Sequence, residues 1–420
     1  MAKLDGPYTV DINAVGAQGD GLAIGGPRNA PIFVPLTLPG ERVNVQLDGQ
    51  RGDLEEILTA SADRVSPPCP HFGDCGGCAL QHWDHAPYLA WKVEQVRIAL
   101  SRERLETEFA TPFAAPPGSR RRLALHARAV RGGAVIGFKA RRSWRLAEIA
   151  VCPIADPRLV AAFPALAKLA KPFLEHPKSA PTLHVTWTAT GLDVDVTGVE
   201  RRSGGLSADA RMDAAAAAQE GQMARVTLAG ETVFEVRQPM VRLGPATVAL
   251  PPGAFLQAVP QAEAAIADFA IAGLGGATKV ADLFCGVGTF TFRLAQTASV
   301  KACDSSALAI KALSSAVASA PGLKPIDAEA RDLTRRPVLI HELAKLEGVV
   351  LDPPRAGALE QTAEIARSKV GRVAYVSCNP TTFARDARVL ADAGFTLERV
   401  LPVDQFLWSP HIELVGIFSR

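Results

Sequence analysis

The chain lacks a charge imbalance: 45 Lys and Arg oppose 43 Asp and Glu, a formal net charge of +2. Net charge alone therefore argues for no class of partner. It also lacks an uninterrupted apolar run. The longest uncharged stretch, Leu243 to Ala262, is broken by Pro245, Pro251, Pro252 and Pro260, so no membrane-spanning helix is expected. Met1-Ala-Lys-Leu-Asp5 has no apolar core of a signal peptide, and a cytoplasmic location is expected. Internal repeats are absent. What is present is a globular composition, 48% hydrophobic and 21% charged, which excludes a mainly disordered chain. A length of 420 residues exceeds what one core usually holds, so two or three domains are expected.

The cysteines are few and unevenly placed. There are seven, an odd number that argues against a disulfide framework in a cytosolic chain. Cys69, Cys75 and Cys78 cluster as Cys-x5-Cys-Gly-Gly-Cys, and Cys152 follows before a proline. Glycines between close cysteines let the backbone wrap tightly enough for several thiolates to converge. Three near cysteines and one remote form a ligand set for tetrahedral zinc or for an iron–sulfur cluster, and spacing does not separate the two. Buried structural thiols are the plainer alternative, but Pro68, Pro70 and Gly73 make this loop poor core material.

Short strands with turn signals fill the first 60 residues: Tyr8–Val10, Ala30–Val34 and Val43–Leu47, punctuated by Gly16, Gly19, Gly21, Gly25 and Gly26. A small β-barrel of the nucleic-acid-binding kind fits this length. Ser66-Pro67-Pro68 marks a boundary. Leu89, Val93, Val96 and Leu100 recur at helical spacing. Between 119 and 147, Arg120, Arg121, Arg122, Arg128, Arg131, Lys139, Arg141, Arg142 and Arg145 occur with no Asp or Glu. A solvated charged face is one reading; a phosphate-binding surface is the one adopted here.

The last third alternates strands (Lys279–Phe284, Ala298–Cys303, Leu346–Leu351, Arg372–Ser377) with apolar helical stretches, which predicts a doubly wound α/β sheet. Ligands bind such a sheet at the carboxyl ends of its strands. Asp282-Leu-Phe-Cys-Gly-Val-Gly-Thr289 ends the first strand there, with Gly286 and Gly288 allowing close backbone approach. Asp304, at the end of the next strand, is placed to accept ribose hydroxyls, and Asp332 to serve an adenine edge. No Lys-Ser/Thr follows the glycines, which excludes a triphosphate loop. The segment suits S-adenosylmethionine, with NAD the alternative. Asp352-Pro-Pro-Arg355 presents the Asp side chain from a rigid loop. Arg355 stands where amino-methylating enzymes carry a base-stacking aromatic, which weakens that reading.

Ser377-Cys378-Asn379-Pro380 places a cysteine at a strand's carboxyl end, the position of a nucleophile. At an ordinary thiol pKa only about 3% is thiolate at neutral pH, so neighbours are expected to depress it. Uracil needs such a group: a thiolate added at C6 makes C5 an enolate carbon that can take a methyl group. A base must then remove the C5 proton. Glu413 is the acid assigned to that step; a surface carboxylate on a C-terminal strand is its alternative.

Together these motifs resemble the bacterial RNA uracil-5-methyltransferases, most closely the iron–sulfur-containing branch acting on 23S ribosomal RNA. The resemblance covers nearly the whole chain, including Phe255-Leu-Gln257 and the C-terminal His411-x-Glu413. It implies a [4Fe–4S] cluster on Cys69, Cys75, Cys78 and Cys152, Cys378 as nucleophile and Glu413 as base. It further implies that Gln257, Phe284, Gly286, Gly288, Thr289, Asp304, Asp332 and Asp352 contact S-adenosylmethionine. Thr289 replaces a familiar Asn and Asp304 a common Glu, each keeping a hydrogen-bonding group. The expected architecture is α/β in three parts. Residues 1–62 form a small β-barrel (OB-like, TRAM), and 63–250 a central α+β domain carrying the iron–sulfur cluster. Residues 251–420 form a doubly wound Rossmann-like methyltransferase domain, on which a helix near 86–110 is expected to pack. The expected partner is 23S rRNA, bound by a monomer. Transfer RNA as substrate, or a non-catalytic rRNA assembly role, are the rivals.

Overall fold

The computed structural model describes residues 7–25, 30–200 and 205–420; Met1–Asp5 and Gly26, used above, lie outside the described residues. The N-terminal strands are β1 (Tyr8–Asp11), β2 (Ala14–Val15), β3 (Gly21–Ala23), β4 (Ile32–Val34), β5 (Arg42–Asp48) and β6 (Arg51–Thr59), paired in the order β1-β5-β6-β4-β3-β2. β1 and β2 are successive in the chain yet sit at opposite ends of that order, so the sheet curls round and closes. Closure leaves few free edges. Val43, Val45 and Leu47 alternate inward on β5 and meet Val10, Ile12, Ile32 and Val34 in a small core.

The cysteine loop leads into α1 (His85–Arg102), β7 (Glu108–Phe109) and β8 (Phe113–Ala114). Asp84 caps α1 by accepting from the Ala86 amide, satisfying one of the helix's orphan donors. The central sheet then assembles from β9 (Arg122–Val130), β10 (Gly133–Lys139), β11 (Leu146–Glu148), β12 (Thr182–Thr188), β13 (Gly191–Thr197), β14 (Arg225–Leu228) and β15 (Glu231–Glu235), in the order β11-β10-β9-β12-β13-β14-β15. Helices α2 (Pro157–Ala161), α3 (Phe163–Ala170) and α4 (Ala208–Glu220) cover one face, where Leu123, Leu125, Leu183 and Val185 meet Leu159, Leu166 and Ala214. Ala124, Arg128 and His184 alternate to the other face and are exposed.

A hairpin, β16 (Met240–Leu243) and β17 (Ala246–Ala249), precedes α5 (Pro260–Gly273), β18 (Lys279–Leu283), α6 (Thr291–Leu294), β19 (Ser299–Asp304), α7 (Ala307–Val317) and β20 (Ile326–Ala330). Then come α8 (Ile340–Leu343), β21 (Gly348–Leu351), α9 (Leu359–Arg367), β22 (Arg372–Ser377), α10 (Pro380–Asp392), β23 (Thr396–Asp404) and β24 (Glu413–Ser419). The sheet order is β20-β19-β18-β21-β22-β24-β23-β7. β18 to β22 are parallel, and β24 returns antiparallel to β22. Two apolar clusters flank it, one built on α5 and α7, the other on α1, α9 and α10. Burial on both faces is why Val349-Val350-Leu351 reads as a continuous hydrophobic run. The order reverses at β18, opening a crevice between the carboxyl ends of β18 and β21. No helix among the described residues is long and apolar enough to cross a membrane.

Packing departs from the expected division at two places. β7 and β8 join the edge of the C-terminal sheet through β23, and the β16–β17 hairpin buries Val241, Leu243 and Val248 in the same cluster as α5 and α7. Residues 63–250 are therefore not one packed body, because these segments find apolar partners only on the C-terminal sheet.

The arginine segment is partly neutralised. Its acidic partners come from elsewhere in the chain. Arg121 is buried against Glu263, 2.6 Å away. Arg141 and Arg142 both pair with Asp20 of the barrel, and Arg145 pairs with Asp74. Arg122 donates to the Leu256 carbonyl at 2.6 Å, and Arg121 to that of Gln257 at 3.1 Å. Six of the nine positives thus hold domains and loops together or stack inward, leaving Arg128, Arg131 and Lys139 facing solvent or half-exposed, with Arg120 largely enclosed.

Candidate active site

The crevice is floored by the turn that ends β18. Phe284, Gly286 and Gly288 have φ of 65°, 56° and 100°. This is the left-handed region that glycine enters freely and phenylalanine does not. Two strand-like bonds from Phe284 and Cys285 amides to the Cys303 carbonyl, 2.8 and 3.1 Å, hold the turn in that shape. A Cβ on Gly286 would meet nothing within 4 Å, so backbone lines open space there; on Gly288 it would strike the Phe292 ring at 2.5 Å. Asp304, at the end of β19, accepts from the Gly286 amide at 3.0 Å and from Ser306 at 2.8 Å. It clamps the glycine turn and still has carboxylate lone pairs to offer. Asp332 lies past β20, half-exposed, with one oxygen on the Thr334 amide at 3.0 Å. Thr289 is buried beneath the turn. Asp282, also buried, accepts from Thr291, and burial pushes its carboxyl up to about 7.

Cys378, Glu413 and Asp352 come together at one end of the sheet. Ser377 of β22 pairs with Leu414 of β24, which sets Cys378 beside Glu413, and Asp352 follows the neighbouring strand β21. The two proline-stiffened loops are laced: Asn379 Nδ2 donates to the Arg355 carbonyl at 3.0 Å and Thr382 Oγ1 to the same oxygen at 3.1 Å. Asn379 caps α10 through the Thr381 amide, with Pro380 in its first turn, so Cys378 sits just before a helix N-terminus.

Glu413 is 4% exposed, which removes the surface-carboxylate reading. Burial raises its carboxyl to about 7, against the pull of a hydrogen bond from Gln405. Burial raises Asp352 well above the usual range, helped by Glu413 and Asp282. Cys378 does not meet the expectation of a depressed thiol. Burial, then Glu413 and Asp352, push it up to about 11, against the pull of the Arg355 guanidinium and a backbone hydrogen bond. An enclosed site lined with carboxyls disfavours one more anion. Gln405, unnoticed in the sequence because it belongs to no charged or nucleophilic pattern, donates to Glu413 Oε2 at 2.8 Å and Gln257 Oε1 at 2.7 Å. Gln257 in turn donates to Asp352 Oδ2 at 3.1 Å.

A cavity of about 350 Å³ is lined by Cys69, Cys75, Cys78 and Cys152 together with Phe138, Phe406 and His411. The remote cysteine thus does converge with the other three. Among the described residues, no three Cys, His, Asp or Glu side chains are grouped so as to hold a metal ion.

A family model described as tRNA (Uracil-5-)-methyltransferase matches residues 250–420. An RNA methyltransferase of Caulobacter vibrioides, itself uncharacterized, is 68% identical over 416 residues, 97% of this chain and 99% of that one. A 23S rRNA (uracil(1939)-C(5))-methyltransferase of Halomonas elongata is 34% identical over 411 residues, 91% of this chain and 83% of that one. Among solved structures, the Pyrococcus abyssi tRNA (uracil-54, C5)-methyltransferase, in complex with S-adenosyl-L-homocysteine, shares the mixed α/β fold. Its TM-score is 0.72 at 23% identity, covering 98% of this chain and 99% of that one.

Proposed function

The chain belongs to the RNA uracil-5-methyltransferase family, and on that footing we propose that it methylates C5 of a uridine in 23S rRNA through a covalent adduct on Cys378. The observation that carries this is the juxtaposition of Cys378 with a fully enclosed Glu413 at the mouth of a glycine-lined crevice. The open space beside Gly286 and the free lone pairs of Asp304 fit S-adenosylmethionine, with Gln257, Phe284, Gly288, Thr289, Asp332 and Asp352 around it. That cofactor supplies an electrophilic methyl group. Cys378 Sγ, as thiolate, would add to C6 of the extruded base, and the electrons gathered at C5 would take the methyl, the bonding pair of the broken methyl–sulfur bond staying with the cofactor. Glu413 then accepts the C5 proton, the C5=C6 bond re-forms and the sulfur leaves with its electron pair. Extruding the base costs a few kcal/mol. The similarity to the Halomonas enzyme favours 23S rRNA. Transfer of labelled methyl groups to separated 23S rRNA and tRNA, with nucleoside analysis, tests the reading. 5-Methyluridine in rRNA alone is expected; label in tRNA alone overturns the substrate, and label in neither overturns the enzyme.

We propose that Cys69, Cys75, Cys78 and Cys152 would hold a [4Fe–4S] cluster. They line one cavity, although among the described residues no three such side chains are grouped so as to hold a metal ion, so the cluster rests on the resemblance of the Cys-x5-Cys-Gly-Gly-Cys and Cys-Pro motifs. Its part would be to brace the loop, since the methylation needs no electron transfer. Iron and acid-labile sulfide analysis of anaerobically purified protein should find about one such cluster per chain; zinc, or no metal, would overturn it.

RNA would lie on the open face of the central sheet. Arg128 and Arg131 form no ion pair among the described residues. Lys139 sits 3.9 Å from the centroid of Trp144, a ring that is 86% exposed and available to stack an unpaired base. Replacing Arg128 or Arg131 by Ala is expected to flatten the salt dependence of RNA binding by roughly 0.7 per lost phosphate contact. Arg121→Ala should instead destabilise the fold. A salt slope unchanged in the first two variants would return them to a solvated face.

A further inference from the structure

Gln405 follows the last residue of β23 and is 3% exposed. Its amide nitrogen is shared between two acceptors, Glu413 Oε2 and Gln257 Oε1, and the bond from Gln257 to Asp352 continues the chain. An ionised carboxylate accepts only, so when Glu413 and Asp352 are ionised the nitrogen of Gln405 faces Glu413 and that of Gln257 faces Asp352, the orientations found here. Gln405 Oε1 is buried without a partner. Turning the amide over would place that oxygen against two other acceptors, so the unpaired carbonyl is the consequence of committing both amide hydrogens. The titratable groups facing Glu413 are Cys378 from the end of β22 and Asp352 from the end of β21, with Arg355 acting on the first and Asp282 on the second.

We propose that Gln405 is the positioning residue of the proton-removal step: it pins one oxygen of Glu413, leaves the other to meet the C5 proton, and links that carboxylate through Gln257 to Asp352 on the cofactor side. The inference rests on the covalent reading above. In the step concerned, the C5–H bond breaks, its proton goes to Glu413, its electrons form C5=C6, and the C6–S bond electrons return to Cys378. Without the amide, attack and methyl transfer can still proceed, but elimination stalls. The observable is a methylated RNA–protein adduct.

Gln405→Met keeps the bulk and removes the donor. It is expected to lower turnover about tenfold or more, with little change in KM for RNA, and to accumulate methyl-labelled adduct on denaturing gels. The acid limb of the kcat profile should also move to higher pH. The sign follows from the base being active only when deprotonated: Gln405 pulls the Glu413 carboxyl down against burial, so losing it raises the pH at which the base becomes available. Gln405→Glu, of the same shape, should move that limb the same way and serves if the Met variant does not fold. Wild-type turnover, pH limb and adduct level in a folded variant would overturn the proposal. Glu413→Gln is the control. Adduct there, with none in either Gln405 variant, sinks the role of Gln405 alone; no adduct in Glu413→Gln sinks the covalent reading beneath it.

Discussion

Cys378→Ala is expected to lower methyl transfer by on the order of 10⁴-fold or more, because it removes the thiol proposed to add to C6. RNA affinity should stay within a factor of about two, since the thiol contributes one small contact to a large polyanionic ligand. The enclosure of the thiol makes the result informative. Burial and the two carboxyls hold Cys378 up at about 11, so the resting group is protonated, and reactivity has to arise as RNA fills the site beside Arg355 and the α10 N-terminus. Combining Cys378→Ala with Glu413→Gln should abolish the adduct that Glu413→Gln alone is expected to trap. Substantial turnover in Cys378→Ala would exclude the covalent route altogether.

The second large effect is structural. Lys92 and Asp404 form an ion pair at 2.6 Å with both side chains 0% exposed. Asp404 also accepts from Tyr88 Oη at 2.7 Å and from the Phe406 amide at 3.1 Å, and Lys92 donates to the Phe406 carbonyl at 3.1 Å. Tyr88 Oη accepts from the Trp408 amide, whose own carbonyl accepts from Ala79 and Leu80 beyond the cysteine loop. One buried network therefore joins α1, the end of β23 and the cysteine loop, one residue from Gln405. Lys92→Met leaves a buried carboxylate without its cation and is expected to cost about 3–5 kcal/mol. Lys168→Met, which breaks an ion pair with Glu220 that is exposed on both sides, should cost less than about 1 kcal/mol. Shifts in urea unfolding of the full chain compare the two; equal shifts would mean that the buried network adds no stability.

The chemistry-bearing motifs were legible because they act through local backbone. Glycines at positive φ, two prolines after Asp352 and a proline after Asn379 shape their own loops, and the alternation of strands with apolar helices places those loops at one edge of a parallel sheet. The helical stripe on α1 was legible only in part. Its inward face runs Tyr88, Lys92, Val96, Ala99 and Leu100, so a lysine occupies a core position that apolar spacing alone cannot assign. The same holds for the arginines: the run contains no acid, yet Asp20, Asp74 and Glu263 from other parts of the chain pair four of its nine positives.

What the sequence determined by itself was therefore local: a thiol, a carboxylate and a glycine turn at strand ends. Tertiary structure alone decided which charges are neutralised, how far Glu413 and Cys378 are desolvated, and that Gln405 ties one to Gln257. The reason is physical. Backbone conformation is set by neighbours a few residues away, whereas desolvation and hydrogen-bond satisfaction depend on groups brought together across the fold. Lys92 and Asp404 lie 312 residues apart in the chain, and Gln257 and Gln405 148 apart.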